Sequence, residues 1–291
     1  MKRPFFIFAM LFFIAFSSRM HGQSSDLSSK GRAELDEIKK KCEEYSEKVE
    51  NASLHFVCIE KVKEEIITSV SSHAVSIPGS HGTLRTFSSR PTWEKNRYVY
   101  DYQLIKQGNK ITEKRVLLEE NGEEKFEDNA PLKTKRFYSR WSALGPVILF
   151  SKNWQEKYSY RLVKEGRYKG KRVSVIEVSP KKDVEEKLHS GKAWVSRKDG
   201  SIMKMEIDME SLPGFEELKE KSKRRNIKPI FTIVHHYDFI KNGIRFPSKT
   251  YFEESYLSRG SRSTTSKTTF LYSNYKFFTV ETEHVIKREG A

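Results

Sequence analysis

The chain has 291 residues, 54 Lys+Arg against 39 Asp+Glu, a formal net charge of +15 and a mean hydropathy of −0.69. Two cysteines exclude a disulfide-dense scaffold, and the low hydropathy with one long apolar run excludes a polytopic membrane protein. Disorder is disfavoured, because 13 Tyr, 19 Phe and 4 Trp supply large groups to bury.

Residues 1–22 read as a secretory signal peptide. Lys2 and Arg3 precede the apolar run Pro4 to Phe16, and Ser17, Ser18 and Arg19 follow it. The run is shorter than the roughly 20 apolar residues of a spanning helix. Export makes the mature chain periplasmic or secreted. Residues 23–33 are Ser-rich and read as a flexible lead to a single domain over 34–288. Leu35, Ile38, Cys42, Tyr45 and Val49 then recur at helical spacing and form one apolar stripe. Leu54 to Val62 alternates as a strand. In an oxidising compartment Cys42 and Cys58 are expected to pair, a disulfide that contributes about 3 kcal/mol.

Residues 71–92 carry Ser, Gly, Pro and His and read as a loop. Tyr98 to Leu104 alternates as a strand, turns at Gly108-Asn109 and returns over Lys110 to Glu119 before a turn at Asn121-Gly122. Trp141 to Phe150 is a short helix or packed loop broken by Gly145-Pro146. Strands follow at Tyr158 to Leu162 and Val173 to Val178, then a short charged helix at Asp183 to His189. Lys192 to Arg197 and Ile202 to Met209 flank the turn Asp199-Gly200. Ser211 to Arg225 reads as a helix with Pro213 in its first turn. Ile230 to Ile240 and Ser248 to Leu257 are strands, residues 258–266 a polar loop, Thr268 to Tyr275 a strand, and Phe277 to Ile286 a tail strand. About ten antiparallel strands joined by tight turns predict an α+β, mainly antiparallel fold.

Catalytic signatures are missing from the sequence. It has no G-x-S-x-G, no H-E-x-x-H, no Walker A loop and no dinucleotide fingerprint. His235 and His236 are neighbours on a strand and point to opposite faces, so they do not chelate one ion. The basic excess does not imply nucleic acid in an exported protein. Anionic lipid headgroups, an anionic polymer or an envelope protein are better partners, and Lys219, Lys221, Lys223, Arg224, Arg225 and Lys228 form the candidate contact surface.

Three strands carry rows of large apolar groups: Tyr98, Tyr100 and Tyr102; Met203, Met205, Ile207 and Met209; and Phe231, Ile233, Tyr237 and Phe239. A sheet curved round these rows would suit an acyl chain. An ordinary core under the N-terminal helix explains the same pattern.

The segment from Gly191 to Glu206, with Trp194-Val195 followed by Asp199-Gly200-Ser201-Ile202, resembles the outer-membrane lipoprotein-sorting carrier superfamily of the LolA/LolB type. In that family a strand carrying Trp turns at Asp-Gly into a strand that begins with an aliphatic residue. The resemblance spans roughly Leu35 to Ile286. It implies a curved, open half-barrel sheet covered by the N-terminal helix and short helices. It also implies binding of lipids or lipoprotein acyl chains in the bacterial envelope, and a related module belongs to a periplasmic regulator of an anti-sigma factor. The expectation is therefore an exported, non-catalytic binding protein for a lipid or acylated ligand, without a cofactor or metal. The alternative is an envelope sensor that meets a protein or an anionic polymer through its basic surface.

Overall fold

The computed structural model describes residues 23–278 apart from 53, 80–81, 109, 138–143, 185–187 and 213. The signal reading of residues 1–22 lies outside the described residues, as does most of the tail strand. Helix α1 (Gln23–Asn51) is followed by strands β1 (Leu54–Gly79), β2 (Gly82–Gln107), β3 (Lys110–Glu120) and β4 (Glu123–Glu127). Two short helices, α2 (Gly145–Phe150) and α3 (Lys152–Gln155), lead to β5 (Tyr158–Tyr168), β6 (Lys171–Pro180), β7 (Gly191–Ser196) and β8 (Ile202–Ile207). A 3-10 turn (Met209–Ser211) and helix α4 (Phe215–Lys223) precede β9 (Lys228–His236), β10 (Phe239–Lys241), β11 (Ile244–Phe246), β12 (Lys249–Ser258) and β13 (Ser261–Phe277). Eleven strands make one open antiparallel sheet in the order β4-β3-β2-β1-β13-β12-β9-β8-β7-β6-β5, and β10 and β11 form a separate ribbon.

The helical stripe lies where its spacing predicts. Ile38, Cys42, Tyr45 and Val49 are buried against one face of the sheet. α1 also rests on the β7–β8 turn. Gly200 there has φ +69, and a Cβ on it would sit 2.2 Å from the Lys41 carbonyl oxygen, so only glycine fits this approach.

Register explains how the covered face is built. Tyr98, Val62, Phe270, Thr250, His235 and Met205 pair successively across six strands and form one continuous row. His235 is partly buried and the others are fully buried. The next row runs Glu64, Thr268, Phe252, Ile233 and Ile207, and the one after it Ile66, Ser266, Glu254 and Phe231. α1 spans two cores on this face. Tyr45 and Val49 join β1, β2, β3 and β13, while Ile38 and Cys42 join β6, β7 and β8.

Arg245 seams the two cores. Its Nε donates to Ser201 Oγ (2.7 Å), its guanidinium to the Tyr237 carbonyl (3.1 Å), and its backbone N–H to the Tyr45 hydroxyl (2.9 Å). A second buried cation, Arg115, holds the fully buried Glu60 through bonds of 2.6 and 3.2 Å and stacks over Tyr102. Burial opposes the Arg115 charge, but Glu60 outweighs it and holds the guanidinium pKa above its usual value.

Several expectations are corrected. Cys42 and Cys58 are free, because they belong to different cores. Burial pushes both thiols up, which leaves them inert. Of the expected loop at 71–92, residues 71–79 and 82–92 are strand, paired within the β1–β2 hairpin as far as Gly79 and Gly82. Residues 258–266 also form a hairpin, whose tight turn at Arg259-Gly260 has φ of 48° and 79°. α1 starts at Gln23, so the backbone of residues 23–33 continues the helix. The middle of the helix expected at 183–189 lies outside the described residues; before it, Val184 N–H closes a turn on the Lys181 carbonyl. The Ile230 to Ile240 strand ends at His236, and Phe239 belongs to the β10–β11 ribbon.

Candidate functional site

Helix α4 stands on the covered face at the end away from α1's packed stripe. Phe215, Leu218 and Ser222 recur at helical spacing, and Phe215 and Ser222 are buried. Glu216 and Glu217 occupy the first turn and Lys221 and Lys223 the last, which complements the helix dipole. The helix stops in a Schellman motif. Asn226 takes φ +52, Ile227 N–H bonds the Ser222 carbonyl (3.1 Å), and Asn226 N–H bonds the Lys223 carbonyl (3.0 Å). This reversal returns Ile227 beside Leu218 and leaves Arg224 and Arg225 at the rim. Phe215 packs edge-on against Phe231 at 6.3 Å, and Phe231 stacks on Phe252, which stacks on Phe137.

Two clefts lie in this region: Phe231 lines the first, and Leu218, Lys221 and Ser222 of α4 line the second. The first, of about 480 Å³, is lined by Ile207, Met209, Ile230, Phe231 and Ile233, with Ser190, Glu206, Asp208 and Glu210 at its rim. Two of these acids are engaged: Lys204 pairs with Glu206 at 2.6 Å, and Ser190 Oγ donates to Asp208 at 3.1 Å.

The second cleft, of about 570 Å³, opens where β1 and β13 stop pairing, at Ile66–Ser266. Beyond that point β1 pairs only with β2, and β13 only with β12. Ile67, Leu218, Ile227 and Tyr256 give this cleft apolar surface, and Arg136, Lys221, Arg224 and Arg225 surround it. The single carboxylate in the lining, Glu254, accepts the Tyr256 hydroxyl at 2.6 Å. Burial, then that hydrogen bond, pushes the Tyr256 phenol up. Glu254 lies directly opposite Phe231 in register, so the two clefts occupy adjoining strands.

The structure sorts the residues that sequence singles out. Ile207, Met209, Phe231 and Ile233 come together in the first cleft. Tyr98, Tyr100 and Tyr102 are 5, 0 and 5% exposed within the α1-covered core, where the Tyr100 hydroxyl accepts the Lys133 backbone N–H at 3.1 Å. Met205 and Tyr237 are buried in the other core. Met203 falls on a bulge in β8 that sets Ile202 opposite Val195 and Met205 opposite Ala193, so Met203 and Met205 do not continue one face. Phe239 stacks on Tyr275 and Phe277.

Of the basic cluster, Lys221, Arg224 and Arg225 line the second cleft. Lys219 pairs with Glu216 at 3.4 Å, and Lys223 and Lys228 are exposed away from the lining. Sequence reading missed Arg136 as a cleft residue, because it stands about 80 residues before the start of α4, in a loop. That loop is fixed by the buried Glu64, whose Oε1 accepts the N–H groups of Lys135 (2.8 Å) and Arg136 (3.2 Å). His235 bonds Thr250 Oγ1 and His236 bonds the Tyr168 hydroxyl, so the two rings take separate partners. No helix of the described residues is long and apolar enough to cross a membrane.

No protein-family model matches the chain, and comparison with curated proteins finds no match. Similar solved structures include a DUF1329 family protein from Desulfovibrio piger (12% identity, 86% of this chain and 94% of that one, TM-score 0.35). Another is a LolA superfamily protein from Nitrosomonas europaea (11% identity, 84% and 94%, TM-score 0.33). A third is an outer membrane lipoprotein-sorting protein domain from Vibrio parahaemolyticus (12% identity, 88% and 95%, TM-score 0.35). The likeness is distant. It includes the group that the Trp194 to Ile202 segment resembles.

Proposed function

We propose that this chain is an exported, non-catalytic binding protein for a lipid or acylated ligand of the bacterial envelope. The observation that carries the reading is the first cleft, where Ile207, Met209, Phe231 and Ile233 line about 480 Å³ on the covered face of an open sheet. Five apolar side chains stand beside polar Ser190, Glu206, Asp208, Glu210 and Thr232 in this cleft, and a small-molecule site combines apolar surface with placed polar groups. Methionine suits an irregular, flexible guest. The ligand does not occupy the wall of Tyr98, Tyr100 and Tyr102, because the protein's own side chains fill that space.

The test is native mass spectrometry and lipid extraction of the full chain expressed with its leader. Co-purifying acyl lipid is expected, and Met209→Glu is expected to remove it while the far-UV circular dichroism stays unchanged. Lipid-free protein that also fails to take up added fatty acid would contradict the reading.

A further inference from the structure

The second cleft has no place in that reading, and its chemistry is different. Arg136, Lys221, Arg224 and Arg225 converge on it from two segments far apart in sequence. All four are exposed, and none makes an ion pair among the described residues. They face one carboxylate, Glu254, which the Tyr256 hydroxyl already engages. Four cations against one carboxylate leave this corner net positive, so an anion is drawn to it. The corner is also amphipathic, since Ile67, Leu218 and Ile227 lie beneath the cations.

Polarity differs between the two clefts in a way that orients a guest. Glu206, Asp208 and Glu210 rim the first cleft, while the second is rimmed by cations. Their strands adjoin, since Glu254 of the second cleft pairs in register with Phe231 of the first. An acidic rim repels an anionic group and a basic rim holds it.

We infer that the second cleft is an anionic headgroup site, and that the ligand is an anionic amphiphile whose head sits among Arg136, Lys221, Arg224 and Arg225. The inference rests on the first cleft being a tail site, and it adds the charge and the orientation of the ligand. Guanidinium groups suit phosphate because they offer forked donors, so a phosphate-bearing lipid is the ligand class.

The experiment titrates the full chain with three probes at low ionic strength. Dihexanoylphosphatidic acid has head and tails, dihexanoylphosphatidylcholine has the same tails on a zwitterionic head, and inorganic phosphate has no tails. The phosphatidic acid is expected to bind about tenfold tighter than the phosphatidylcholine, the order expected of charge-assisted hydrogen bonds, and to weaken as salt is added. Arg224→Gln with Arg225→Gln, and separately Arg136→Gln, should remove most of the preference, weakening phosphatidic acid far more than phosphatidylcholine, whose single phosphodiester charge is balanced by its own choline. These side chains are exposed, so an unchanged thermal melt verifies the fold.

Equal affinity for the two lipids, indifferent to the variants, overturns the headgroup site and leaves the tail site standing. Binding of neither lipid overturns both. Inorganic phosphate binding as tightly as phosphatidic acid overturns the amphiphile, because the cleft would then hold a free anion.

Discussion

The two ends of the covered face make opposite use of similar residues. Under α1, Tyr98, Tyr100, Tyr102, Val62 and Phe270 close on Tyr45 and Val49, and some polar groups are engaged internally: Glu60 by Arg115, the Tyr100 hydroxyl by the Lys133 backbone N–H. Under α4 only nine residues of helix cover the sheet, Phe215 is its main anchor, and two clefts remain. Aromatic and methionine rows on a strand therefore do not define a binding wall by themselves. What covers them decides. A 29-residue helix seals its rows, and a short one leaves gaps.

The contrast can be broken most forcefully at the sealed end. Arg115→Met leaves Glu60 charged and buried, and is expected to cost about 3–5 kcal/mol in guanidinium unfolding. Adding Glu60→Leu should recover most of that loss, because the stranded charge goes with it.

A pH experiment sharpens the comparison along the row that joins the two ends. Burial first, then His236 and His189, pushes the His235 pKa down to about 4. The unfolded imidazole binds a proton near pH 6.5 and the folded one does not, so this contribution is full above pH 6.5 and is lost as pH falls toward 4. The expected loss is about 3 kcal/mol across that window. His235→Gln should flatten the wild-type slope there.

Smaller effects are expected elsewhere. Leu218→Ala, at the open end, should cost within about 1 kcal/mol, because its side chain is only partly buried. Iodoacetamide should leave Cys42 and Cys58 untouched in the native state and add to both after unfolding without reductant. Protection from the reagent in the unfolded, unreduced chain would reveal a disulfide instead.

Much of the architecture is legible in the sequence because it depends on local period. The α1 stripe, the Asp199-Gly200 turn and the inward tyrosines follow from spacing alone. The misses share a cause. Residues 71–92 and 258–266 are Ser- and Thr-rich and show no apolar alternation, yet both form hairpin ends that extend past the sheet's packed part. A segment without regular apolar alternation carries no period-two signal. The β8 bulge at Met203 shifts a face by one residue, which no alternation count reveals. The candidate site was half-legible. Ile207, Met209, Phe231 and Ile233 were among the apolar rows and Lys221, Arg224 and Arg225 among the cations. Their gathering round α4 depends on the fork at Ile66–Ser266, a tertiary feature, as does the arrival of Arg136.

The most direct test asks where a guest sits. A photoactivatable fatty acid can be crosslinked to the purified full chain and the labelled peptides mapped. The label is predicted on Met209, Phe231 and their neighbours lining the first cleft, with Tyr98 to Tyr102 unmarked. Labelling of that tyrosine strand, or no saturable labelling at all, would contradict the assignment of the guest site to the α4 end of the sheet.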